Sequence, residues 1–208
     1  MKFSKKILTV LSCIAIFATS AVFTSCKSDD DDENESLFAG KNYSASEIKM
    51  ELPEQTNEDG TKTKNIKMTI SQSQLVYTGT LEKDGNSQKI EATYTKDSIN
   101  TDGKTTFNLS SVKLDSITVD AAEAEIEDSL TDEGFLQWKI KITDDKNGTI
   151  TTGTNKSSFT YEVDTATKTV KVTDSTGTIT INYADDGKTL TMNMTEDGTK
   201  ITMTFTQN

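Results

Sequence analysis

The sequence predicts an all-β fold, an antiparallel up-and-down meander closing into a barrel, and three observations carry that reading. Dipeptides of the Asp-Gly or Asn-Gly type recur at Asp59-Gly60, Asp84-Gly85, Asp102-Gly103, Asn147-Gly148, Asp186-Gly187 and Asp197-Gly198. Such pairs supply the positive φ angles that two-residue hairpin turns require. Between them apolar and polar residues alternate, the period of a strand with one wet face and one buried face. Finally, no proline-rich or glycine-rich break divides the chain, whose single proline is Pro53.

In chain order, the alternation runs through Ile66, Met68 and Ile70, then Leu75 and Tyr77, then Ile90, Ala92 and Tyr94. It resumes at Leu136, Trp138, Ile140 and Ile142, and continues through Phe159, Tyr161 and Val163, Val170 and Val172, and Ile179, Ile181 and Tyr183. The last hairpin is the clearest: Leu190, Met192 and Met194 before its turn, Ile201, Met203 and Phe205 after it. About ten short strands result, spaced as in a sandwich or barrel. One segment breaks the pattern. Asp120 followed by Ala121-Ala122-Glu123 reads as an N-cap with an acid three residues on, opening a short helix that runs to about Leu130. A meander must protect its edges by closing or by stacking as two sheets. Closure is the expectation and a β-sandwich the alternative.

The N-terminus carries a different signal. Lys2, Lys5 and Lys6 precede an apolar run from Ile7 to Phe23, which Thr24-Ser25-Cys26 ends. A positive start, a hydrophobic run and small residues make a secretory signal, and the run of about 17 residues is at the lower edge of a membrane span. The ending Val22-Phe23-Thr24-Ser25-Cys26 resembles the lipobox of bacterial lipoproteins. That resemblance implies a signal peptide over residues 1–25 and a lipid on Cys26. The other cysteine, Cys13, lies inside the apolar run, so the processed chain would hold no disulfide partner for Cys26.

Residues 26–36 contain six carboxylates within the seven positions from Asp29 to Glu35. Such a stretch repels itself and cannot pack, so it reads as a tether to a single domain over residues 37–208. It also resembles the acidic export signal that follows the lipid cysteine in surface lipoproteins of Bacteroidetes. Asp97-Ser98-Ile99, Asp115-Ser116-Ile117, Asp128-Ser129-Leu130, Asp164-Thr165-Ala166 and Asp174-Ser175-Thr176 are similar to O-glycosylation sites of periplasmic proteins from the same group.

Composition narrows the chemistry. Lys and Arg total 22 against 33 acids; removing the three lysines of residues 1–25 leaves 19 minus 33, or −14. Nucleic acid, bound largely by cations against phosphates, is a poor partner for such a chain. Arg and His are both absent. Without His or a free Cys in the domain, neither nucleophilic catalysis of the Ser-His or Cys-His kind nor a His/Cys zinc site can be built. Carboxylate pairs remain, and nothing in their spacing singles one out. No enzyme activity, metal or cofactor is expected. Asp144, Asp145 and Asn147, and Asp185 with Asp186, place oxygens in loops but lack the spacing of a calcium loop, so they read as turn residues.

The domain as a whole resembles the lipocalin-like domains of bacterial lipoproteins. The likeness rests on Gly40-Lys41-Asn42-Tyr43 at the first strand, on some 170 residues of meander, and on the terminal hairpin from Gly187 to Phe205. Tyr43 stands where lipocalins usually place Trp, and the Arg that commonly covers that Trp is missing. Tyr77, Tyr94, Trp138, Tyr161 and Tyr183 fall on the apolar phase of their strands. In a barrel they face inward, either lining an apolar pocket or filling the core. The functional expectation is a lipid-anchored extracytoplasmic binding module, possessing a pocket for a small apolar ligand or docking a protein. The rival is a structural or adhesive surface lipoprotein without a ligand. The expected place is the outer membrane, at the cell surface or on its periplasmic face, with the domain a monomer.

Overall fold

The computed structural model describes residues 37–56, 60–99, 103–120, 126–132, 134–153, 155–174 and 177–208. Among these residues fifteen strands follow in chain order: β1 (Asn42–Leu52), β2 (Gln55–Thr56), β3 (Lys62–Ser71), β4 (Gln74–Lys83), β5 (Asn86–Ile99), β6 (Thr105–Leu114), β7 (Ile117–Val119), β8 (Ser129–Asp132), β9 (Lys139–Ile142), β10 (Asn147–Thr152), β11 (Asn155–Asp164), β12 (Thr169–Thr173), β13 (Thr178–Tyr183), β14 (Thr189–Glu196) and β15 (Thr199–Gln207). No α-helix occurs among the described residues.

The chain forms a closed eight-stranded antiparallel barrel. Strands β9 to β15 pair each with the next, and β1 closes the circle by pairing β9 through Asn42–Ser44 and β15 through Tyr43–Glu51. Closure removes the free edges that an open meander would expose. Inside lie Ile140, Phe159, Tyr161, Val170, Ile181, Leu190, Met192 and Phe205, all buried. Their strand neighbours Lys139, Thr160, Lys171 and Thr180 face water.

The other strands form a wing on the same sheet. At Ser46 the register between β1 and β15 slips by one residue. Beyond that bulge β1 leaves β9 and pairs β3 instead, from Glu47 with Ser71 to Leu52 with Ile66. Strands β4, β5 and β6 continue outward as a meander; β7 and β8 both pair β6, at opposite ends of it, and form the margin. The wing has its own apolar layer, with Ile48, Met50, Met68, Leu75, Tyr77, Ile90, Tyr94 and Phe107 buried. A 3-10 turn over Phe135–Gln137 fills the seam between wing and barrel. The fully buried Asp132 carboxylate holds that turn, accepting from the backbone N–H of Gly134 at 3.3 Å, Phe135 at 3.2 Å and Leu136 at 3.4 Å.

Several sequence expectations meet their physical limits. Glycines 60, 85, 103, 187 and 198 take positive φ, as the turn reading requires. Gly148 does not: it lies in β10 beneath the Phe159 ring. Asp115-Ser116 makes a positive-φ turn without any glycine. Leu136 belongs to the 3-10 turn rather than to the strand that follows. Of the expected helix over Asp120 to Leu130, residues 121–125 lie outside the described residues. Its C-terminal end is strand instead, because Ser129 and Leu130 pair Asn108 and Phe107 at the margin of β6.

At Gly148 a Cβ would stand 2.6 Å from Phe159 Cε2 and 2.9 Å from the Lys141 carbonyl oxygen. Gly148→Ala is therefore expected to cost about 1–3 kcal/mol by overpacking, read by urea unfolding. Repeating it in a Phe159→Leu background should recover a large part of that loss; equal penalties in both backgrounds would show that the ring is not the obstacle.

Candidate functional site

The barrel has two unlike ends. The near end gathers the β9–β10, β11–β12 and β13–β14 turns with residues Leu37 to Lys41, which lead into β1, and with Asn208, whose N–H donates to the Asn42 carbonyl at 3.0 Å. Phe38, 1% exposed although it precedes the first strand, plugs this end. Its ring meets Tyr183 edge-on at 5.1 Å and Tyr161 edge-on at 6.5 Å, a geometry that aromatic quadrupoles favour. Leu37 packs against Gly187, whose φ of +63° and lack of a side chain leave room for it.

Tyrosine hydroxyls tie this end together. Tyr43 donates to the Gly187 carbonyl at 2.7 Å, and Tyr161 donates to the Asp144 carbonyl at 2.8 Å. Burial, and then the nearness of Tyr161 and Asp186, raise the Tyr43 phenol to about 12. The Asp144 carboxylate accepts from the backbone N–H groups of Lys146 and Asn147, both at 2.9 Å, and from the Asn147 amide at 2.8 Å. These bonds hold it below the usual carboxylate range and commit it to its turn. Asp186 accepts from the Lys188 N–H at 2.9 Å, and Asp185 pairs with Lys168. Among the described residues no group of three or more acidic, His or Cys side chains is placed to hold a metal ion.

Among the described residues the far end is open. A cavity of about 40 Å³ runs inward from it, lined by apolar side chains apart from Asp174 and Gly177 at its rim. Ile150, Val172 and Ile179 are only partly buried there and form an apolar mouth. Trp138 stands on the seam side of the cavity, its ring 5.4 Å from Phe135, and Phe38 forms part of the lining.

The five aromatic residues that alternation points to are thereby separated. Trp138 and Tyr161 line the cavity. Tyr183 lies behind it, against Phe38. Tyr77 and Tyr94 sit in the wing's apolar layer, where burial is the first cause raising both phenols. Cys26 lies outside the described residues. Phe38, Ile150, Val172 and Ile179 are among the lining residues that the sequence did not single out. Val172 and Ile179 carried a signal, since both keep the inward phase and face each other across β12 and β13.

Two predictions follow from the near end. Because the Tyr43 phenol is raised from 10.0 to about 12 by folding, its contribution is fully present below pH 10. It is then lost as pH rises towards 12, by at most about 2–3 kcal/mol. Tyr43→Phe should flatten that part of the stability curve while costing about 1 kcal/mol at neutral pH for the lost hydrogen bond; an unchanged alkaline slope in urea melts would refute the assignment. Phe38→Ala should cost about 3–5 kcal/mol, the range for emptying a buried aromatic site. A melting temperature within a degree of the wild type would mean that Phe38 does not close the barrel.

No protein family, curated protein or solved structure matches this chain.

Proposed function

We propose that this protein is a lipid-anchored extracytoplasmic binding module whose barrel takes one small apolar group through its far-end mouth. The observation that carries the reading is the asymmetry of the barrel: Phe38 closes the near end, whereas an apolar-lined cavity opens beside Ile150, Val172 and Ile179 at the other. The positive start, the apolar run and Cys26 at a lipobox-like ending support the anchor. A lipid on Cys26 would be joined through residues 27–36 to the domain at Leu37, beside the near end. Acyl chains supply about 0.8 kcal/mol per buried methylene, so two or three of them would hold the chain on a membrane.

Size limits the ligand. A single water needs roughly 10–15 Å³ of such space, so 40 Å³ admits a branched or ring terminus and not a whole lipid. The occupant is a small hydrophobe, or one side chain of a protein partner. The same small volume favours the second reading, a structural or adhesive surface lipoprotein whose barrel is filled for stability alone, with Tyr43, Met203 and Phe205 at 0% exposure.

Methyl-selective NMR under xenon pressure separates the two. Binding requires saturable shifts confined to methyls that line the cavity, those of Ile150, Val172 and Ile179 among them, weakened when Ile179→Phe fills the mouth. Shifts that rise linearly with pressure at all methyls alike would leave only the structural reading. The anchor is tested by metabolic labelling with a clickable fatty acid: label is expected in the wild type and lost in Cys26→Ala, and protease added to intact cells should strip it. Equal labelling of Cys26→Ala would overturn the anchor.

A further inference from the structure

A second concavity, independent of the barrel, lies on the water-facing side of the wing. Its volume of about 420 Å³ is within the usual range of small-molecule sites, roughly 300–1,000 Å³. The floor is the middle of β4, where Thr78 and Thr80 flank Gly79. One wall is Asn65 and Lys67 on β3; the other is Lys89 and Glu91 on β5 with Lys113 on β6. The Asp115-Ser116 turn closes one end. The fold builds this shape. A register slip between Lys64 and Lys67, with Asn65 at φ 52°, bends β3 away from β4 opposite Gly79, as bulges do. Short hydroxyl side chains on the floor between long ones on the walls deepen the trough.

Charge distinguishes the groove from the rest of the molecule. The chain has a net charge of −11, yet here three lysines meet two acids. One of those acids is already engaged: Glu91 pairs with Lys113 at 3.2 Å. Asp115 accepts from the Lys89 backbone N–H at 2.8 Å. Lys67 stands 3.6 Å from Glu51, outside the groove. Lys89 has no ion pair among the described residues. The groove therefore offers one uncommitted ammonium and a second loosely held, beside Thr78, Thr80, Ser116 and Glu91, which can give or accept hydrogen bonds to hydroxyl groups. Among the described residues it has no aromatic platform, and Ile90 is its one large apolar residue.

We propose that this groove binds a small polyhydroxylated carboxylate of the hexuronate class, with Lys89 and Lys67 on the carboxylate and the threonine floor and Glu91 on the ring hydroxyls. A bare carboxylate leaves most of the trough unfilled, and a neutral sugar leaves Lys89 unpaired.

The test is amide NMR of the domain titrated with D-glucuronate, D-glucose and acetate at one ionic strength. Saturable shifts at Thr78, Thr80 and Lys89 are expected with glucuronate alone, weakening as salt is raised. Lys89→Gln should loosen glucuronate by about five-fold, the scale of one exposed ion pair, and leave the melting temperature unchanged. Lys171→Gln, on the outer face of the barrel, should change neither. The proposal is overturned if glucuronate gives no saturable shift, if acetate matches it, or if Lys89→Gln binds as the wild type does. None of these results depends on whether the barrel mouth takes a ligand.

Discussion

The double pairing of β1 is the constraint on which the whole structure hangs. One strand of eleven residues belongs to the barrel through its first half and to the wing through its second, with β15 beside it throughout. The bulge at Ser46 makes this possible. Tyr43 and Ala45 point inward on odd positions, Ile48, Met50 and Leu52 on even ones, so the extra residue shifts the phase while the apolar side stays buried. Ser46 donates to the Thr204 carbonyl at 3.1 Å, and Gln72 donates to the Ala45 and Leu136 carbonyls at 2.9 and 3.2 Å. Backbone groups freed where β1 parts from β9 thus find side-chain partners, as buried polar groups must. The 3-10 turn held by Asp132 then fills the wedge that the parting strands leave.

Much of this was legible in the sequence wherever strands keep one phase from end to end. The β14–β15 hairpin, with Leu190 opposite Phe205 and Met192 opposite Met203, follows from alternation and Asp197-Gly198 alone. Phase shifts hide the rest. In β6 Phe107 and Leu109 are odd, Val112 and Leu114 even, because Ser110 is an extra residue whose hydroxyl donates to the Thr93 carbonyl. A reader counting in twos loses such a strand midway. β10 was hidden differently: among its six residues Ile150 alone is large and apolar, and the β propensity of its threonines has no alternation to display.

The candidate site was half legible for a related reason. Inward phase is local and can be read from one strand, so Trp138 and Tyr161 were found together with Tyr77 and Tyr94. Which interior a strand faces depends on the partner it chooses, and β1 assigns β3 to β6 to one layer and β9 to β13 to another. No spacing in the chain encodes that choice. Phe38 was invisible because it works from outside any strand, held by a turn in which Lys41 donates to its carbonyl at 3.0 Å.

Sharing one strand also fixes where the molecule is vulnerable to pairing with other chains. The barrel closes on itself, but the wing grows from β1 in one direction only and must end. It ends in two fragments, β7 of three residues and β8 of four, on the two halves of β6. Short, interrupted edge strands are poor templates for another chain, and Asp128, whose carbonyl receives the Leu109 N–H at 2.7 Å, anchors the interruption. Among the described residues the two most exposed large apolar side chains flank this margin: Ile117 in β7 at 69% and Ile99 at the end of β5 at 50%. Both belong to the wing, so the barrel owes its protection to closure and the wing owes its own to brevity. The difference follows from which side of β1 each was built on.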